Sequence, residues 1–154
     1  MSTYEFLLVG HLLAAMTWLG GDLMIQMFYL RARVSGPVAV AQFAKDVEWI
    51  GLRVINTAAL LVVIFGVLLV IDSEVFEFSQ FWVSAALAMF LLSAVTGAAF
   101  LGPESGRIGK LSDERGADDP EVQSRIGRVL LISRIEFVLL VLIVIDMVLK
   151  PGFP

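Results

Sequence analysis

The chain of 154 residues has no cysteine and only one histidine, and these two scarcities exclude several kinds of site. Without cysteine it can form no disulfide, no thiolate metal centre and no cysteine nucleophile. With His11 alone, one chain cannot ligate a metal through two histidines. The sequence also lacks a glycine-rich phosphate loop and a nucleophile–base pair, so hydrolysis or phosphoryl transfer of the soluble-enzyme type has no support.

Charge is scarce as well, with 17% charged residues against 58% hydrophobic residues. A soluble domain averages about 25% charged residues, so the composition predicts an integral membrane protein. The formal net charge is −4 and no basic patch carries interleaved aromatic residues, so we expect no nucleic-acid partner. No basic residue precedes the first apolar run, and we interpret the N-terminus as a retained membrane span.

Four stretches are apolar and long enough to cross a bilayer, which takes about 20 residues. They predict an all-α protein, an integral membrane four-helix up-down bundle, with helical extensions into the cytoplasm and a single transmembrane domain over residues 1–154. Pro37 and Pro120 each follow a capping residue and mark helix starts. The predicted helices cover about 4–31, 37–72, 80–102 and 120–150, and a polar cytoplasmic connector covers 103–119.

Lysine and arginine are unevenly placed, and this placement predicts the orientation. The first and third connectors, with the adjoining helix ends, carry most of the basic residues, whereas the second connector at 72–80 carries none. Both basic connectors should face the cytoplasm. The chain is therefore predicted to be a multi-pass protein of a bacterial or archaeal cytoplasmic (inner) membrane, with both termini outside. Lipid is the expected environment, and a homo-oligomer is plausible because small-residue helix faces promote association.

One stripe of the first predicted helix carries side chains that are unusual in lipid. His11, Trp18 and Asp22 are spaced so that they lie on one helical face, which should point into the bundle. His11 has three interpretations: a hydrogen-bonded interior side chain, a proton-transfer group or an axial haem ligand. Trp18 is either core or the wall of a flat cofactor pocket.

A second group of polar residues lies at one depth near the inner leaflet if helices rise 1.5 Å per residue. Asp22 is about 27 Å from Tyr4 by this count, and Arg53 is about 28 Å from Asp72. An ion pair of Asp22 with Arg53 or Arg134 is the expected structural solution, and a proton or substrate role is the alternative. The predicted buried polar layer consists of Asp22, Arg53, Asn56, Thr96, Arg134 and Glu136.

The pattern H-x6-W-x-G, formed by His11, Trp18 and Gly20, resembles the first helix of HemJ-type protoporphyrinogen oxidases and of CopD-type copper-resistance membrane proteins. The segment 134–136 and the Lys150–Pro151 ending are similar to the last helix of the HemJ type. The chain also resembles a family of bacterial four-span membrane proteins called domain of unknown function 2269 (DUF2269).

The HemJ resemblance implies that b-type haem or a porphyrin binds in the bundle interior, with a redox or haem-handling role. His11 would ligate the haem iron, Trp18 would form a pocket wall, and Asp22, Arg53 and Arg134 would form a polar floor. Arginine suits porphyrin propionates because guanidinium binds carboxylates bidentately. Protoporphyrinogen oxidase activity is also implied, but HemJ-type enzymes carry further histidines, so whether this chain is an enzyme stays open.

The alternative is a cofactor-free small transporter or an accessory membrane protein. Such a protein would handle a proton or solute, and its buried charges would be mainly structural.

Overall fold

The computed structural model describes residues 2–153, and within that range every regular element is helical. The prediction of an all-α protein is therefore confirmed. Two of the helices contain short π-helical turns and are otherwise continuous. The helices of the described range are α1 (Thr3–Ser35), α2 (Pro37–Asp72), α3 (Phe81–Arg115) and α4 (Pro120–Leu149).

Local sequence explains where the helices begin. Ser2 caps α1 in a capping box with Glu5, in which each side chain accepts from the backbone N–H of the other residue. Gly36 separates α1 from α2 at φ 102°, a conformation that other residues rarely adopt, and Pro37 then starts α2. Asp119 caps α4 by accepting from two backbone N–H groups of its first turn. The predicted starts at Pro37 and Pro120 agree with these bounds.

The third helix is longer than the sequence pattern predicts. The prediction ends it near residue 102 and assigns 103–119 to a connector, whereas α3 continues to Arg115 and only 116–119 link it to α4. Pro103 does not end the helix, because it follows a π-helical turn that already interrupts the α-helical hydrogen bonds which a proline would break. The polar residues beyond it form a helix because α2 and α4 extend equally far and cover its apolar side.

Both π-helical turns lie in the middle of long helices. In α2 the turn covers Gly51–Ile55, and the N–H of Asn56 donates to the carbonyl five residues earlier. In α3 the turn covers Gly97–Leu101, and the N–H of Gly102 does the same. Such turns are rare and frequently mark functional sites.

The helix pair α1 and α2 forms an antiparallel hairpin with close backbone approach. Gly10 of α1 lies against the ring of Phe65, and Gly21 lies against Ile55, so rising numbers in α1 meet falling numbers in α2. A Cβ at Gly21 would come within 2.6 Å of Ile55 Cδ1, so a larger residue there would push the two helices apart. The pair is held by this small-residue contact.

The helices α3 and α4 form the second antiparallel pair. Ser93 of α3 bonds Glu136 of α4, while Glu104 further along α3 bonds Arg125 earlier in α4. We call the half of the bundle that contains the connections at Gly36 and at 116–119 the polar half. The half that contains the start of α1 and the end of α4 is the terminal half.

Each half has its own cluster of buried apolar side chains. In the polar half, Ile108 and Val122 are fully buried where α2, α3 and α4 meet. The cluster nearer the terminal half joins α1, α2 and α4 and consists of Ala14, Trp18, Ala58, Val62 and Leu140. The two clusters leave space between and beside them, and that space forms the cavities described below.

Within the described range, α1, α2 and α3 are long and apolar enough to cross a membrane. The 30-residue α4 is also long, but its apolar part carries Arg134, Glu136 and Asp146. Large apolar side chains such as Met16 are exposed around the outside of the bundle, as expected of surfaces that contact lipid.

Candidate functional site

In the described part of the chain, each half of the bundle contains a cavity, of about 320 Å³ in the half with the chain termini and about 380 Å³ in the polar half. Both volumes are at the low end for ligand pockets, which span roughly 300–1,000 Å³. The first, which we call the terminal cavity, is lined by residues that include His11, Trp18, Gly66, Trp82, Phe90 and Lys150. The second, which we call the polar cavity, is lined by residues that include Asp22, Tyr29, Glu48, Asn56, Ser105 and Ser133.

His11 is the polar side chain held most specifically in the terminal cavity. Its Nδ1 lies 2.9 Å from the carbonyl oxygen of Val62 on α2. A carbonyl oxygen can only accept, so Nδ1 carries the proton and Nε2 keeps its lone pair. Gly66 allows this arrangement, since a Cβ there would approach the His11 ring to 3.1 Å. His11 therefore has one ring nitrogen fixed by the backbone and the other available to a ligand.

Aromatic side chains form a second part of the lining of the terminal cavity, beside a larger number of aliphatic ones. Trp18 is buried and meets the Phe90 ring edge-on, with the ring centroids 5.5 Å apart. At the end of α4, Nζ of Lys150 lies 4.5 Å from the centroid of the Phe76 ring and 5.5 Å from that of the Trp82 ring. Trp18 thus belongs to an apolar core cluster and also lines the cavity, and Lys150 is the cationic side chain among the described lining residues.

The predicted polar floor does not form beneath this cavity. Arg53 and Arg134 are exposed on the outside of the bundle, and neither lines either cavity. Arg53 belongs to the π-helical turn, and its guanidinium lies 4.9 Å from the centroid of the Trp49 ring. Arg134 is two residues from buried Glu136, which is about 200° around a helix, so only one of the two can face inward. Asp22 lies in the polar cavity instead.

The predicted polar layer is therefore only partly formed. Asp22 and Glu136 are buried, with 8% and 9% of their surfaces exposed, whereas Asn56 is exposed but lines the polar cavity. Thr96 is half-buried and its hydroxyl donates to the Leu92 carbonyl in its own helix. No ion pair joins Asp22 to either arginine within residues 2–153, so the expected pairing is corrected.

Neutral side chains, rather than arginines, form the hydrogen bonds between helices in this region. Ser93 donates its hydroxyl hydrogen to Glu136, and Gln26 Nε2 donates to Ser133 Oγ across 2.6 Å. These residues were not among the predicted site residues. A signal was present, because Ser133 lies three residues before Glu136 on the same helical face and Gln26 lies one turn after Asp22.

Both π-helical turns contribute to the polar cavity. Gly51 and Ile55 line it from α2, and Gly97 and Leu101 line it from α3. No group of three or more ligating side chains that could hold a metal ion occurs in the described part of the chain. The polar cavity is therefore suited to a ligand held by one or two polar groups.

Comparison with known protein families gave a match over almost the whole chain. A family described as "Predicted integral membrane protein (DUF2269)" matches residues 5–151, which is almost the whole chain. Neither the curated proteins nor the solved structures gave a match. The finer likeness to HemJ- and CopD-type proteins gains nothing from these comparisons and stays a prediction.

Proposed function

We propose, from the premise that the chain belongs to the DUF2269 family of integral membrane proteins, that it binds b-type haem or a porphyrin in the terminal cavity. The observation that carries the proposal is the 2.9 Å hydrogen bond between His11 Nδ1 and the Val62 carbonyl. A metal-ligating histidine almost always donates its other ring N–H in this way, because the bond fixes the tautomer and raises the basicity of the ligating nitrogen. A single histidine can hold haem iron on one face.

The lining of the terminal cavity fits a flat apolar cofactor better than a polar one. Trp18 and Phe90 offer aromatic surface, and the remaining lining residues are mostly aliphatic. Lys150, rather than Arg53 or Arg134, is the cation that could meet a propionate at the mouth of the cavity. Haem in such a site would supply one-electron chemistry, and the chain would position it and exclude water.

The visible absorption spectrum tests this proposal. Protein purified in mild detergent, with or without added hemin, should show a Soret band that shifts on reduction. His11→Ala should lose the band. Met16→Leu should keep it, because Met16 lies on the same helix with 70% of its surface exposed. Gel filtration of all three proteins checks that they are folded. A colourless protein that takes up no hemin would overturn the proposal and favour a cofactor-free protein that handles a proton or solute.

We also propose that α4 is a fourth span, so that the chain is an up-down bundle with both termini outside the cytoplasmic membrane. The support is the antiparallel packing of α4 on α3 and the concentration of lysine and arginine in the polar half.

The lack of native cysteine allows single introduced cysteines to report the topology. In intact cells, an impermeant maleimide should label Ser79→Cys and should label Ala117→Cys only after permeabilisation. The reverse pattern would contradict this orientation. A homo-oligomer stays a prediction that cross-linking of the same variants can examine.

A further inference from the structure

The polar cavity lies in the opposite half of the bundle from His11, and the haem proposal does not use it. We propose that this cavity binds a small organic cation, an ammonium group with a short apolar body, and that Asp22 is its counter-ion. The volume of about 380 Å³ is sufficient for a ligand of this kind.

Asp22 is the first reason. Only 8% of its surface is exposed, it lines the cavity, and its Oδ2 is buried without a hydrogen-bond partner. A buried carboxyl oxygen that lacks a partner is costly, and the cost grows inside a membrane where water is scarce. A ligand that brings a positive charge or an N–H group into the cavity would remove that cost.

The charge of the lining is the second reason. The charged side chains that line the cavity in the described part of the chain are both acidic, Asp22 and Glu48, and no lysine, arginine or histidine lines it. The Glu48 carboxylate packs against Gly106 of α3, where a side chain would displace it. An anion would be repelled by these two groups, and a neutral apolar molecule would leave Asp22 without a partner. A cation is the ligand that this lining favours.

The aromatic and aliphatic lining indicates an organic cation rather than a metal ion. Tyr29 and Phe43 both line the cavity, and their ring centroids are 6.3 Å apart. Aromatic faces attract ammonium groups that lie within about 6 Å of the ring. Val40, Ile108 and Leu130 supply aliphatic surface for an apolar body.

The two π-helical turns are a separate observation that points to the same place. They occur in different helices, and residues of both turns line this one cavity. A π-helical turn is a rare departure from the α-helix that is frequently found at functional sites. Their meeting at the polar cavity supports a binding role for it.

Binding of 2-phenylethylammonium, measured by isothermal titration calorimetry in nanodiscs at neutral pH, tests the inference. Two probes of similar shape are compared with it: neutral 2-phenylethanol and anionic phenylacetate. We expect saturable binding of the ammonium and no binding of phenylacetate. The affinity for the alcohol should be lower than that for the ammonium by roughly tenfold or more. Absence of saturable ammonium binding, or equal affinities for the ammonium and the alcohol, would overturn the inference.

Variants then assign the binding to Asp22. Asp22→Asn should weaken ammonium binding by roughly tenfold or more, because a charge-assisted contact is lost. Asp113→Asn is the matched control, since that side chain is 69% exposed and does not line the cavity. The affinity of Asp113→Asn for the ammonium should equal that of the unmodified protein. If Asp22→Asn does not fold, Tyr29→Leu provides the second test. It removes an aromatic face of the cavity, so its affinity for the ammonium should also fall, and an unchanged affinity would contradict the inference. An unchanged affinity in a folded Asp22→Asn protein would overturn the assignment. His11→Ala should bind the ammonium normally, so this inference and the haem proposal can fail separately.

Discussion

Buried acids are bonded differently around Glu104, near the connection at 116–119 in the polar half, and in the apolar middle, by which we mean the apolar stretches of α1 and α4 that hold Asp22, Glu136 and Asp146. In the polar half, Glu104 has a side chain only 10% exposed, and two arginines bond it. Arg125 lies 2.5 Å from its Oε1, and Arg107 lies 3.4 Å from its Oε2. The hydrogen bonds from Arg125 to Glu104 and Glu121 raise the pKa of the Arg125 guanidinium above its ordinary value.

In the apolar middle, acids lack such partners, even Glu136, which is two residues from Arg134. Asp22 and Asp146 each keep a buried carboxyl oxygen without a partner, and Glu136 is bonded by a serine. Arg53 and Arg134 lie on the outer surface instead. The difference teaches that ion pairing in this fold stabilises the polar half, whereas the acids of the apolar middle are not explained by pairing.

The largest expected effect tests whether the polar half is a packed core. Ile108 is fully buried among residues of α2 and α4, so Ile108→Ala should lower the free energy of unfolding by about 2–5 kcal/mol. Unfolding in detergent micelles, followed by circular dichroism, measures this. Val38→Ala is the control, since Val38 is 71% exposed and should change little. Similar losses in both variants would show that the polar half is not a tightly packed core.

The next largest effect is expected when the ion pairs of the polar half are broken by substitution. Arg125→Met keeps the length of the side chain but leaves Glu104 with only the weaker Arg107 contact. Because the Arg125 side chain is 29% exposed and that of Glu104 only 10%, we expect a loss of stability smaller than that of a fully buried pair and larger than that of an exposed pair. The double variant Arg125→Met, Glu104→Gln should recover part of the loss. No recovery would mean that the arginine acts through packing rather than charge.

A smaller effect is expected in the apolar middle. Asp22→Asn removes an acid that has no cationic partner, so the free energy of unfolding should change by no more than about 1 kcal/mol. Thermal unfolding of Asp22→Asn and of Arg125→Met, measured side by side, compares the two losses of stability. A loss as large as that of Arg125→Met would show that Asp22 is paired after all and would remove the contrast between the two regions.

The smallest effect concerns an exposed pair of the polar half. Lys45 Nζ lies 2.5 Å from Asp113 Oδ1, but the two side chains are 34% and 69% exposed. Lys45→Met should therefore cost about 0.2–1 kcal/mol, and salt should remove the difference. The Arg125→Met loss should persist at the same salt concentration. Equal salt sensitivity in both variants would contradict the distinction between partly buried and exposed pairs.

The sequence predicted the helical class and the helix starts because proline and capping residues act locally. It also predicted that Trp18 and Asp22 face inward, since helical spacing alone decides which side of α1 they occupy. It did not predict the positions of Arg53 and Arg134. Counting residues gives depth, but the direction of a side chain depends on helical phase, and the π-helical turn at Gly51–Ile55 shifts that phase.

The length of α3 was missed for a related reason. Beyond Gly102 its composition is polar, and its apolar residues are too few to indicate a helix by themselves. The helix is stable because Ile108 packs between α2 and α4. That contact depends on tertiary packing, which no local pattern in the sequence reveals. Ser93, which bonds Glu136 from another helix, was missed for the same reason.

The two π-helical turns also limit how the chain can change in evolution. One residue advances an α-helix by about 100°, and a π-helical turn already holds one residue more than an α-helical turn, so a further residue inserted in Gly51–Ile55 would rotate the two parts of α2 against each other by that angle. After such an insertion, Lys45 would move away from Asp113, and Glu48 would leave the cavity. Insertions should therefore be tolerated in the connector at 116–119 and rejected inside either π-helical turn.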